Sequence, residues 1–166
     1  MATIIVTGGT GRIGTLVVRY LAERGDDVVN LDIVRPEGEY PARTVECDLT
    51  NAGAVYDALA SVRPEYVCHI GANPSGTANP RHEIFANNVM SSFVVMQAAA
   101  DLGVRRLVYG SSITAIGFLN SEEIPRRFPV TEDQRVDTNN VYATSKFLGE
   151  KIADSVVCGR SDMSIC

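Results

Sequence analysis

The apolar and polar positions of this chain switch between a period of two and a period near 3.6. Thr3-Ile4-Ile5-Val6-Thr7 is a short β-branched run that leads into a glycine cluster, Gly8-Gly9-Thr10-Gly11-Arg12-Ile13-Gly14. From Thr15 the apolar positions take helical spacing through Leu16, Val17, Val18 and Leu21, and stop at Gly25. A second apolar run, Asp27 to Leu31, closes on Asp32, and the Pro- and Gly-rich stretch 33–41 reads as a loop. Arg43 to Cys47 alternates as a short strand, and Asn51 is the expected N-cap of a helix over Ala52–Val62. Tyr66 to Ile70 reads as a fourth strand and Arg106 to Tyr109 as a fifth. Between them a long helix is expected over Glu83–Leu102, stopped by Gly103. Residues 113–140 have no period and carry Pro125, Pro129 and several charges, so they read as irregular. A last helix is expected over Val141–Val157, and Met163 to Cys166 look like the start of a sixth strand. Strands alternating with helices predict an α/β fold, a doubly wound, mostly parallel sheet with helices on both faces.

Composition narrows the possibilities. The 166 residues suffice for one domain, 1–166, and 45% apolar content with 21% charged is ordinary for a globular chain. A net charge of −5 argues against a general binder of nucleic acid or of membrane surfaces. No apolar run is long enough to span a bilayer, and Met1-Ala2 leads directly into a strand without a signal peptide, so a cytoplasmic location is expected. The four cysteines, Cys47, Cys68, Cys158 and Cys166, share no metal-ligand spacing, and no metal site is expected. Cys47 and Cys68 fall in or beside strands, as reduced core thiols do.

Strand, glycine turn and helix form the frame that a dinucleotide needs. Gly8 or Gly9 lets the chain turn at positive φ, Gly11 lets a pyrophosphate approach the backbone, and Gly14 lets helix and strand pack closely. The helix N-terminus would face the phosphates. A glycine cluster alone also fits any tight β–α turn. Asp32, about 20 residues beyond it, stands where an acid would accept from a ribose hydroxyl.

Tyr142-Ala143-Thr144-Ser145-Lys146 places a phenol and an ammonium one helical turn apart on one face. A free phenol, with a pKa of about 10, is a poor base at neutral pH. A neighbouring lysine and a cationic nicotinamide can lower it, so that the tyrosine exchanges a proton with a substrate hydroxyl. Ser111-Ser112, ending the fifth strand, offers a hydroxyl to fix the substrate oxygen. His69, behind apolar residues, reads as a satisfied structural histidine, and His82 as solvated.

In order along nearly the whole chain, these motifs resemble the extended short-chain dehydrogenase/reductase superfamily, in its NAD-dependent epimerase/dehydratase group. The resemblance implies a Rossmann sheet and NAD as cofactor. It implies cofactor contacts from Gly8, Gly11, Arg12, Ile13 and Gly14, from Asp32 at the ribose, and from Asp48 and Leu49 beside the adenine. Ile70, Gly71, Ala72, Asn73 and Asn87 would border the cofactor. Ser112, Tyr142 and Lys146 match the catalytic set, the last two also contacting the cofactor. Members acting on nucleotide sugars usually carry an aromatic residue just before Gly117, where this chain has Ile116. Ile116-Gly117-Phe118 is similar to some uronate dehydrogenases, although Ile113 and Thr114 replace their polar substrate contacts. The resemblance also implies a C-terminal substrate-binding region, expected to be lacking in 1–166. Pairing of two subunits through helices 83–102 and 141–157 is a further implication.

The expected function is sugar or nucleotide-sugar epimerase/dehydratase chemistry by hydride transfer. A dehydrogenase of a free sugar, a sugar acid or a secondary alcohol is the alternative. A cofactor-binding module without catalysis is an alternative of another class.

Overall fold

A computed structural model describes residues 1–74, 79–117, 128–131, 138 and 140–166. One sheet holds six strands: β1 (Thr3–Thr7), β2 (Asp27–Asp32), β3 (Arg43–Glu46), β4 (Tyr66–His69), β5 (Arg106–Tyr109) and β6 (Ser164–Ile165). Every pairing is parallel, and the order across the sheet is β3-β2-β1-β4-β5-β6. The α-helices are α1 (Arg12–Glu23), α2 (Ala52–Val62), α3 (Arg81–Asp101) and α4 (Val141–Val157). The chain winds outward from β1 to β3, then returns through α2 to place β4 on the other side of β1. Ligands of such sheets bind at that reversal, outside the C-terminal ends of β1 and β4.

Alternation along the strands builds two cores. Ile4 and Val6 of β1 and Val28 of β2 pack with Val18 of α1 on one face. Ile5, Val29, Leu31, Val67 and Leu107 point to the opposite face, where Val55 and Leu59 of α2, Val95 and Met96 of α3 and Val156 of α4 cover them. Helices therefore lie on both faces, as the sequence predicts.

The departures from the predicted bounds have local causes. Helix α1 starts at Arg12 rather than Thr15, with Gly11 as its extended N-cap, so Gly14 lies inside the first turn. Glycine's poor helix propensity points to a later start, but close packing against the glycine turn overrides it. Helix α3 starts at Arg81 behind Pro80, two residues before the expected Glu83, and ends one residue before Leu102. Proline lacks the N–H that a helix entry leaves unused, so it suits this place. Strands β3 and β4 each end one residue early. Ile113–Ile116, expected to be irregular, forms a short 3₁₀ turn, opened by the Ser112 side chain accepting from the Thr114 N–H and closed by Gly117 at φ 87°. The Asn51 cap of α2 is as predicted, its side chain accepting from the Ala54 N–H.

Cys47 is buried and Cys68 half-buried, and burial pushes both thiols up, which suits inert core positions. Cys158 and Cys166 are exposed and free. Among the described residues no helix is long and apolar enough to cross a membrane.

Candidate active site

The glycine turn is held by its neighbours at nearly every atom. Gly8 takes φ +70°, and a Cβ on it would lie 2.6 Å from the Cα of Gly71. Of the two candidates, Gly8 therefore makes the turn. Gly9 is closed in on both polar atoms: its N–H donates to Asn30 Oδ1 at 2.8 Å, and its carbonyl accepts from the Tyr40 hydroxyl at 2.8 Å. Neither Asn30 nor Tyr40 stands out in the motif reading. The one signal for Asn30 is a polar residue inside the apolar run of β2, fully buried in the fold. A Cβ on Gly14 would fall on the Gly8 carbonyl oxygen and 2.7 Å from the Gly9 Cα.

Helix α1 has no side-chain cap and no acidic residue in its first turn. Its first N–H groups and its positive dipole end are thus left to an anion. Arg12 and Ile13, both exposed, stand in that turn. Asp32 accepts from the Thr10 N–H at 3.1 Å and, through a short bond, from the Thr10 hydroxyl, while its second oxygen accepts from the Val34 N–H at 3.1 Å. The acid predicted to hold a ribose thus also ties the glycine turn to the end of β2.

Across the reversal, the buried Thr7 hydroxyl organises the end of β4. It accepts from the N–H groups of Ile70 at 3.2 Å and Gly71 at 3.1 Å. Its own proton is left for His69 Nδ1, 2.7 Å away. That bond makes Nδ1 the acceptor and puts the imidazole proton on Nε2, which is buried without a partner. Burial, reinforced by Lys146, lowers the His69 pKa to about 3. His69 is thus neutral and structural, as expected, but only half satisfied. Gly71 leaves room for Leu49, whose Cδ1 would lie 2.6 Å from a Cβ there. Asp48 closes the turn before α2, accepting from the Thr50 N–H at 2.9 Å and from its hydroxyl at 2.8 Å.

Asn88, next to the predicted Asn87, is the buried hub of this rim. It accepts from the Asn73 N–H at 2.7 Å and donates to the Asn73 carbonyl at 3.0 Å. It also donates to Ser145 Oγ at 3.1 Å, and Ser145 in turn donates to the Tyr142 carbonyl at 2.7 Å. The half-buried Asn87 donates to Asn88 at 3.0 Å. One side chain thus fixes the loop that carries Ala72 and Asn73 against the first turn of α4. Asn88→Ala should cost about 2–4 kcal/mol of stability by chemical denaturation, since it strands several buried groups at once. A loss below about 0.5 kcal/mol would show the network to be dispensable.

Asn140 caps α4, accepting from the Ala143 N–H at 2.7 Å, and sets Tyr142 and Lys146 in the first two turns. Lys146 is 3% exposed, and its ammonium donates to the Gly110 carbonyl at 2.6 Å. It lies 4.9 Å from the Tyr109 ring centroid and 6.0 Å from that of Tyr142. Burial lowers the Lys146 pKa to about 8. Burial raises that of Tyr142, while the facing Ser112 hydroxyl pulls the other way. The expected lowering of the phenol by Lys146 is therefore not produced by the chain's own groups: the ammonium is turned to Gly110 and Tyr109. Ser112 shares a hydrogen bond with Thr114 Oγ1 at 2.9 Å, whereas Ser111 donates to Glu150. Ser112, not Ser111, thus faces the tyrosine. Phe118 lies outside the described residues, and His82 is exposed. No metal-binding group of side chains occurs among the described residues.

Gly8, Asp32, Gly71, Asn88, Ser112, Tyr142 and Lys146 thus converge along one rim of the sheet. Residues 4–163 match the family described as the NAD dependent epimerase/dehydratase family. The chain belongs to this family. Among the epimerase/dehydratase relatives, a UDP-glucose 4-epimerase of Lactobacillus helveticus is 31% identical over 156 residues, 90% of this chain and 45% of the relative. A short-chain dehydrogenase/reductase superfamily protein from Agrobacterium tumefaciens, solved with bound NAD, superposes with a TM-score of 0.82 at 35% identity, over 98% of this chain and 47% of its own. A mutated uronate dehydrogenase superposes with a TM-score of 0.82 at 26% identity, over 99% of this chain and 56% of its own. The chain spans about half the length of the curated relatives it matches.

Proposed function

We propose that residues 1–166 form the NAD-binding domain of an epimerase-type oxidoreductase acting on a sugar or nucleotide sugar, with Tyr142 as its acid/base. The observation that carries this reading is the meeting of Tyr142, Lys146 and Ser112 beside a glycine turn at the sheet's reversal. The glycine cradle and the open α1 N-terminus fit a dinucleotide pyrophosphate. Gly8, Gly11, Arg12, Ile13 and Gly14 would line it. Asp32 would take the adenosine ribose and Asp48 with Leu49 the adenine edge. Ile70, Gly71, Ala72, Asn73 and Asn87 would border the nicotinamide half, and Tyr142 with Lys146 its ribose. When bound, NAD supplies a hydride acceptor at its nicotinamide ring.

Tyr142 then takes or returns the hydroxyl proton of the substrate. Ser112 donates to the same oxygen and fixes it for that transfer. The UDP-glucose 4-epimerase relatives support a nucleotide sugar as substrate. A full-length protein carrying this domain, incubated with NAD and UDP-sugars, should interconvert C4 epimers without net NADH release. Steady NADH accumulation with a uronate would instead favour a dehydrogenase, the second reading. Ile116-Gly117-Phe118 and the likeness to a uronate dehydrogenase favour that alternative.

Asp32 should select NAD over NADP, because its carboxylate repels a 2′-phosphate. Asp32→Ala should narrow the gap between the two dissociation constants. It should also weaken NAD binding itself, since Thr10 loses its tether. Tighter NADP than NAD binding by the unaltered chain would sink this assignment. Pairing of two copies through α3 and α4 draws support from Met90 and Phe93, both half-exposed on α3. A cytoplasmic location accords with the buried, reduced Cys47.

A further inference from the structure

Among the described residues, Lys146 is a buried cation without an acid. No carboxylate pairs with it among the described residues, and its one hydrogen bond goes to a neutral carbonyl. What faces the ammonium instead is an aromatic ring. Its Nζ stands 4.9 Å from the Tyr109 centroid, well inside cation–π range. The ring itself is fixed on both sides. It stacks on His69 with centroids 5.7 Å apart and planes at 29°. On its far edge it presses on α4 at Gly149, where a Cβ would lie 2.5 Å from the Tyr109 Cζ and 2.9 Å from Cε1. Glycine is a poor residue for a helix interior, and this one sits midway along α4. The space its missing side chain leaves is filled by Tyr109.

We propose that Tyr109 is a positioning residue of the candidate site: its ring face seats the Lys146 ammonium and keeps it charged beside Tyr142, and Gly149 is bare so that the ring fits. The functional meaning rests on the proposed role of Lys146 in the cofactor site. The seat itself can be tested without cofactor or substrate.

Among the described residues, the ionisable groups around Lys146 leave this contact in control. From β4, His69 is neutral above a pH of about 3. From β5, burial holds the Tyr109 phenol protonated. On α4, Tyr142 is likewise raised by burial, and the Glu150 carboxylate is taken by Ser111. The face of α3 turned to this rim carries Asn88, Ser91 and Ser92, none of which titrates.

The chain has only two lysines, Lys146 and Lys151, so ¹³Cε-lysine NMR resolves each titration. Lys151, exposed and paired with Asp154, serves as internal reference above the ordinary lysine value. Lys146 should titrate near 8. Tyr109→Phe should leave its midpoint nearly unmoved. Successive fluorination of a phenylalanine at position 109 withdraws the ring's charge with little change of shape. The midpoint should then fall stepwise, by about half a unit to one unit in all. Gly149→Ala, which alters neither partner, should lower it too. A midpoint indifferent to fluorination would overturn the proposal, as would a Lys146 that titrates alongside Lys151. The fluorinated series keeps the core filled, so the result does not depend on a cavity being tolerated at position 109. Loss of NAD affinity on Lys146→Met is measured separately and bears only on the cofactor reading.

Discussion

In a full-length protein carrying this domain, Tyr142→Phe is expected to lower turnover by about 100- to 10,000-fold, the usual contribution of a positioned general acid–base, while leaving NAD affinity nearly intact. The phenyl ring keeps its packing at the start of α4, and the turn beneath it stays tied through the bonds of Ser145 and Asn88 to the backbone. Only the hydroxyl facing Ser112 is lost. The pH profile carries a second expectation. Burial alone leaves the phenol above its ordinary value, so a cation must stabilise the phenolate for it to act near neutrality. Lys146 can serve only while charged. Its folded pKa of about 8 means that its help is complete below that pH and fades as pH rises through it. Lys146→Met should remove this limb, weaken NAD binding and move the apparent pKa of the tyrosine upward. Single-turnover rates across pH for the protein and its Tyr142→Phe, Lys146→Met and Ser112→Ala variants decide the matter, the serine change costing least. If Tyr142→Phe keeps near-wild-type rates throughout, the tyrosine is structural.

What the sequence discloses of this site follows from how local each feature is. The Asn51 cap, α2, β5 and α4 are set by neighbours in the chain and stand where the pattern puts them. The glycine–acid spacing finds Asp32 because one β–α–β unit separates turn and acid. The Asn88 hub is different. Consecutive helical residues point about 100° apart, so Asn87 and Asn88 face different ways, one half-buried and one inside. Only the docking of α4 and of the loop after β4 decides which amide is inside. Asn30 hides in an apolar run because its partners, Gly9 and Thr44, come from two other segments. The same holds for Lys146. Its spacing to Tyr142 is legible, but its turn toward Gly110 and Tyr109 depends on β5 lying under α4. That turn is why burial outweighs the lysine at the phenol in the chain alone.

The largest expected loss of stability comes from a single methyl group at Gly14. Gly14→Ala is the best helix former replacing nearly the worst, and in an open helix it would stabilise by about 0.5–1 kcal/mol. Here the new Cβ falls on the Gly8 carbonyl oxygen and 2.7 Å from the Gly9 Cα. Both are backbone atoms, so no rotamer change relieves the contact. Gly8 cannot yield: its N–H donates to the Leu31 carbonyl at 2.9 Å, its carbonyl accepts from the Gly11 N–H at 3.1 Å, and its Cα is pressed against Gly71. Gly9 is held by Asn30 and Tyr40. Helix α1 must therefore move as a body away from β1, opening the core around Val18 and dragging the anion-facing N–H groups with it. Overpacking of this kind costs about 3 kcal/mol or more, a fall in Tm of roughly 6–12 °C for a chain of this size. NAD binding should be lost in the same variant. Gly53→Ala is the control: it is also a first-turn helical glycine, but its nearest neighbour to a new Cβ is Asn51 Oδ1 at 3.5 Å, an ordinary contact. That variant should gain about 0.5 kcal/mol and bind NAD unchanged. Thermal melts and NAD titrations of the two variants test the claim side by side. If Gly14→Ala melts with Gly53→Ala and still binds NAD, the glycine turn is not the rigid cradle described.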